Sequence, residues 1–87
     1  MKVTAKFTNT EGQAIVATFD TSNGTVADTT GRAGTFTAVP GSKTIAISGE
    51  QAITFQVQDP VKFEVGFTTG FTASTGKSGT VVIEKIE

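Results

Sequence analysis

Three short groups of residues are the first whose types and spacing could do chemistry. Gly70 with Gly76-Lys77-Ser78 approximates the phosphate-binding pattern GxxxxGK[ST]. Five residues separate these glycines where the pattern needs four, and Phe71 stands where its first glycine belongs. That loop must also open a helix whose N-terminal amides meet the phosphates, whereas residues 80–87 read as a strand. Asp20, Ser22, Gly24 and Asp28 have the outline of a calcium loop. Ser22 and Gly24 fall on its third and fifth positions, and Gly31 takes the twelfth, where a glutamate should close the ring. The segment reads instead as a polar turn. Asn23-Gly24-Thr25 is formally a glycosylation acceptor, which matters only in a secreted eukaryotic chain; Asn-Gly is first a turn dipeptide.

Nucleophilic and acid–base chemistry have little to work with. The chain holds no histidine and no cysteine, which removes the usual general base and the thiolate nucleophile. Among the carboxylates, Glu64 alternates with Lys62 on a solvated face, and Asp20, Asp28 and Asp59 lie at turns. Lys2 and Lys6 fall in the first strand, but no asparagine or aspartate in the last strand can receive them in an intramolecular isopeptide bond. The sequence therefore predicts no catalytic residue, no metal site and no cofactor.

The elements that must position these groups are strands. Threonine is the commonest residue, valine, isoleucine and phenylalanine supply the bulk, and leucine, tryptophan and tyrosine are absent. β-branched and aromatic side chains suit a pleated surface better than a helix, so the chain is all-β. Its 87 residues make one domain, 1–87, with a thin core that no disulfide reinforces. Seven basic and eight acidic side chains are scattered without a basic run, which argues against a nucleic-acid partner. No stretch approaches the ~20 apolar residues of a membrane-spanning helix. Residues 1–10 lack the apolar centre of a signal peptide, which predicts synthesis in the cytoplasm.

Period-two alternation places about seven strands. Val3, Ala5 and Phe7 point inward on the first, Ile15, Ala17 and Phe19 on the second, and Phe36 and Ala38 on the third. Residues 25–27 form a short edge strand at most. Ile45 and Ile47 face in on the fourth strand, and Gly49-Glu50-Gln51 then turns the chain. Ile53, Phe55 and Val57 belong to the fifth, and Val61, Phe63, Val65 and Phe67 to a sixth. Residues 80–87 make the last, where Val81-Val82-Ile83 breaks the alternation and predicts a β-bulge. The expected core is Val3, Phe7, Ile15, Phe19, Phe36, Ile45 and Ile47, continued by Ile53, Phe55, Val57, Phe63, Val65, Phe67 and Ile83.

Seven short strands with turn signals every eight to twelve residues predict an antiparallel sandwich, with a small β-barrel as the alternative. In strand count, turn spacing and composition the whole chain resembles immunoglobulin-like domains, particularly the small ones in structural proteins of tailed phages. The cysteine pair, core tryptophan and corner tyrosine of that family are missing. The resemblance implies a non-enzymatic virion component, such as a capsid decoration or tail or fibre subunit, that meets a protein lattice and can form a homo-oligomer. The alternatives are a module of a bacterial surface or adhesive protein, on the extracellular surface, and a carbohydrate-binding sandwich.

Two long polar stretches, 25–34 and 69–79, are the expected contact surface, because long loops in so small a domain are uncommon. Phe71 is the candidate apolar anchor there, or else folds back to plug the core. Arg32 and Lys77 are the candidate partner-binding cations. The outward face carrying Thr35, Thr37, Val39, Thr44, Ala46, Ser48, Thr54 and Gln56 is free of charge, as a covered or self-associating surface would be, the alternative being a solvated threonine face.

Overall fold

The computed structural model describes residues 1–50 and 52–87. Eight strands follow one another: β1 (Lys2–Asn9), β2 (Ala14–Asp20), β3 (Thr25–Asp28), β4 (Ala33–Ala38), β5 (Thr44–Gly49), β6 (Ile53–Val57), β7 (Thr68–Ala73) and β8 (Ser78–Ile86). Each pairs antiparallel with its sequence neighbour, and β1 pairs with β8, so the sheet closes into a barrel. Lys2 and Glu87 exchange both backbone hydrogen bonds at 2.8 Å to complete the seam.

The expected seven-strand sandwich is therefore corrected to an eight-strand barrel, the smaller architecture named as its alternative. Alternation tells which residues face in but not which strands pair. Closure satisfies every strand edge, and a chain of hairpins reaches it without any crossing connection.

Two segments account for the changed strand count. The stretch 61–68, expected as a strand, is not one until Thr68. Val61, Phe63 and Phe67 do turn inward, but across the end of the barrel. Val61 exchanges hydrogen bonds with the turn after β4, donating to Ser42 and accepting from Gly41, and Gly66 donates to Ile83 on β8. Glu64 and Phe67 close a tight turn that throws Val65 outward, 64% exposed, so Val65 is not core. Conversely, the polar stretches 25–34 and 69–79 are not long loops. They contain β3 and β7 and fold as hairpins. The residue expected to finish the turn after β5, Gln51, lies outside the described residues.

The core otherwise follows the alternation. Val3, Phe7, Phe19, Ile45, Val57 and Ile83 are buried, with Phe36, Ile47, Ile53, Phe55, Phe63 and Phe67 packed against them. Phe71, Val26, Val61, Val81 and the alanines 5, 17 and 73 complete it, while Ile15 is 37% exposed. β8 does carry a bulge, but past the valines: Val81 and Ile83 are buried with Val82 between them in unbroken register, and Ala5 faces Ile83 while Thr4 faces Lys85, leaving Glu84 as the extra residue. It keeps Glu84 and Lys85 in solvent.

Candidate functional site

Three of the hairpins share one construction. Asn9, Asp28 and Ala73 each donate their N–H to the residue four along (Gln13, Arg32 and Lys77) and accept from a glycine three along. Those glycines, Gly12, Gly31 and Gly76, have φ of 84°, 90° and 92°, a region that favours glycine. This is the three-residue hairpin loop built on a type I turn and a left-handed glycine. All three hairpins lie at the same end of the barrel. The 58–67 segment and both chain termini lie at the other.

At that hairpin end the barrel is open, with a cavity of about 520 Å³. Its floor is the ring cluster of Phe7, Phe55 and Phe71, whose centroids are 4.9, 5.6 and 5.4 Å apart. Phe71 meets both neighbours nearly edge-on, the favoured geometry for ring quadrupoles. The wall is Ile15, Ala17, Val26, Ile47, Ile53 and Ala73. Gly34 leaves a bare stretch of it: a Cβ there would lie 2.2 Å from the Ser48 carbonyl oxygen, so close approach of the strands forbids any side chain. Small residues at 17, 34 and 73 are what leave the volume open.

Polar groups are confined to the rim. Asn9 Nδ2 donates to Gln13 Oε1 at 3.0 Å, and Asn9 Oδ1 accepts from the N–H groups of Glu11 and Gln13. Asp28 Oδ1 accepts from the Thr30 hydroxyl at 2.6 Å and from the Thr30 and Arg32 N–H groups at 2.9 and 3.0 Å. Partial burial pushes the Asp28 carboxyl up, but the Thr30 and Arg32 hydrogen bonds and the Arg32 charge together hold it below its ordinary value. Lys77 Nζ donates to Glu11 Oε1 at 2.9 Å, both side chains being more than half exposed. Such an exposed pair contributes little to stability.

The candidate residues from the sequence are all here, although not as expected. Arg32 and Lys77 stand at equivalent hairpin positions on the rim. Phe71 is a correction: it is 6% exposed and forms part of the floor, so it is no surface anchor. The alternative in which it folds into the core describes it. The remaining groups dissolve into turns or strand faces. Gly76-Lys77-Ser78 leads into β8 and no helix, and Asp20 Oδ1 is taken up by the N–H and hydroxyl of Ser22.

What sequence reading missed is the cavity. The signal was the recurring x-x-x-Gly-polar spacing at 9–13, 28–32 and 73–77, together with small residues on the inward phase nearby. Comparison with protein-family models, with curated proteins and with solved structures finds no match.

Proposed function

We propose that this protein is a non-enzymatic binding barrel that takes a small apolar ligand into its open end. The carrying observation is the cavity of about 520 Å³ floored by three phenylalanines and walled by aliphatic side chains. Eight strands give a barrel whose interior either fills with side chains or holds one small ligand, and this volume lies within the usual range for ligand sites. A carbohydrate ligand is disfavoured, since the wall offers neither the polar groups nor the tryptophan or tyrosine platform that sugars use.

Fluorescence titration with the neutral apolar probe N-phenyl-naphthylamine tests this. The expected result is saturable enhancement at one site per chain. Ala73→Leu, which fills the wall, should weaken the probe about tenfold or more, equivalent to ~1.4 kcal/mol. Absence of saturable binding, or undiminished binding by Ala73→Leu, overturns the reading.

A second reading, assembly into a virion or other protein lattice, has its own support on the outside of the barrel. Strands β4 to β7 carry no ionisable side chain. Thr35 faces Ser48, Thr37 faces Ala46 and Ala46 faces Thr54 across that outer surface. The charged strand residues collect on β1, β2 and β8, apart from Asp28 at the rim. A charge-depleted patch is what the centre of an interface looks like. Light scattering over a concentration series tests its self-association form. Concentration-dependent growth lost in Ala46→Lys supports it, and a strict monomer leaves only a foreign lattice, tested by co-sedimentation.

A further inference from the structure

The rim and the depth of the cavity say more about the ligand than its apolar wall does. Resting on the apolar-ligand reading above, we infer that the ligand is uncharged and compact, a ring-sized hydrocarbon skeleton with at most one hydroxyl or carbonyl group.

The charge argument comes from the rim. Its ionised groups balance, Glu11 and Asp28 against Arg32 and Lys77, and they are already engaged with one another or with the turns. Lys77 holds Glu11 at 2.9 Å. Asp28 Oδ1 takes three donors on Thr30 and Arg32, and the Arg32 charge acts on the same carboxylate. An anionic ligand head meets a Lys77 whose charge Glu11 already offsets, at a site exposed enough for water to screen what attraction is left. A cationic head meets a carboxylate whose Oδ1 already takes three hydrogen bonds and whose charge Arg32 already offsets. Either ion also bears the cost of losing water beside an apolar wall. A neutral hydroxyl or carbonyl bears no such cost. It can exchange hydrogen bonds with the side chains of Asn9 and Gln13 or with Thr75, which line the same rim.

The size argument comes from the floor. Phe71 closes the bottom and Thr75 stands at the lip, four residues on in sequence. Only Phe71 to Ala73 of that run is strand, about 7 Å at ~3.3 Å per residue or roughly 5 Å along the axis for strands tilted by ~40°, and the rest is the tight turn. The Phe7, Phe55 and Phe71 rings are in mutual contact, so an extended acyl chain cannot thread past them. The volume is therefore wide for its depth and suits a compact skeleton better than a linear one.

The test is displacement of bound N-phenyl-naphthylamine by four competitors at pH 7.5: adamantanol, adamantane carboxylate, adamantyl ammonium and dodecanol. Adamantanol is expected to displace the probe at concentrations about tenfold or more below each of the other three. If adamantane carboxylate or adamantyl ammonium equals it, the neutrality claim fails. If dodecanol equals it, the compactness claim fails. In both cases the apolar-ligand reading survives, because the probe was bound. If the probe never binds, both fall together.

Discussion

The two ends of this barrel are built from the same alternating strands and finished differently. At one end, residues 58–67 leave the sheet between β6 and β7 and lay Val61, Phe63 and Phe67 over the core. Thr69, the one buried polar residue among those described, accepts the Asp59 N–H at 2.9 Å and returns its hydroxyl to the Asp59 carboxylate. Only about 30 Å³ remains unfilled there. At the other end three tight hairpins stop at the lip, none of the described residues is folded across them as 58–67 is, and about 520 Å³ stays open. Among the described residues Phe7 alone borders both spaces. A connection long enough to fold over one end, and tight hairpins too short to do so at the other, separate a filled core from an open one.

The largest expected effect is at the partition between the two ends. Phe71→Ser removes a buried ring and leaves a hydroxyl in an apolar site, which should cost about 3–5 kcal/mol. Thermal unfolding would read this as a collapse of the melting temperature. An unshifted melt would mean that Phe71 is not the floor and that the two spaces are not separated as described.

A matched pair of substitutions sharpens the comparison itself. Ala5→Leu crowds the filled end and should destabilise by about 1–3 kcal/mol. Ala17→Leu projects into the open cavity and should be neutral or stabilising by up to about 1 kcal/mol, while weakening the apolar probe. Chemical denaturation of both variants checks the opposite signs. Equal destabilisation by the two would show that the open end is as tightly filled as the other.

Much of this was legible in the residues, and the failures share a cause. The inward phase of β1, β2, β5 and β6 follows from alternation alone, whereas the bulge on β8 lies at Glu84 and not in the valine run that suggested it. Val61, Phe63, Val65 and Phe67 keep the same period two without being a strand. Periodicity reports which side chains seek apolar surroundings, not whether the surroundings are a sheet face or the end of a barrel. Residues 69–79 misled in the opposite sense, since the threonines and glycines of β7 have loop-like composition, and only the pairing of Phe71 with Val57 and Gly79 makes them a strand. Arg32 and Lys77 were recognisable as candidates. Their shared rim was not, because it depends on the register that brings three hairpins to one end.

Smaller effects probe how each end is held. Thr69→Val keeps the shape but leaves the Asp59 N–H without its acceptor, at a cost of about 1–2 kcal/mol. Hydrogen exchange should speed up across residues 58–67 and stay unchanged at the hairpin end. Acid should act on the other end as well. The Asp28 carboxyl is held below its ordinary value in the folded protein. Its contribution is therefore fully present above the unfolded carboxylate range and is lost as pH falls through the folded value. Stability of the native chain should decline with acid over that window, and Asp28→Asn should flatten the decline without altering stability trends above it. An identical acid profile in Asp28→Asn would show that this rim carboxylate is not coupled to folding.

The central claim, that the open end is a binding site and the closed end is not, is tested most directly by amide and methyl NMR during titration with N-phenyl-naphthylamine. Saturable shifts are predicted at Ala17, Phe55, Phe71 and Ala73, with Val3, Ile45 and Val61 left in place. Shifts centred on those last three residues, or none that saturate, would contradict it.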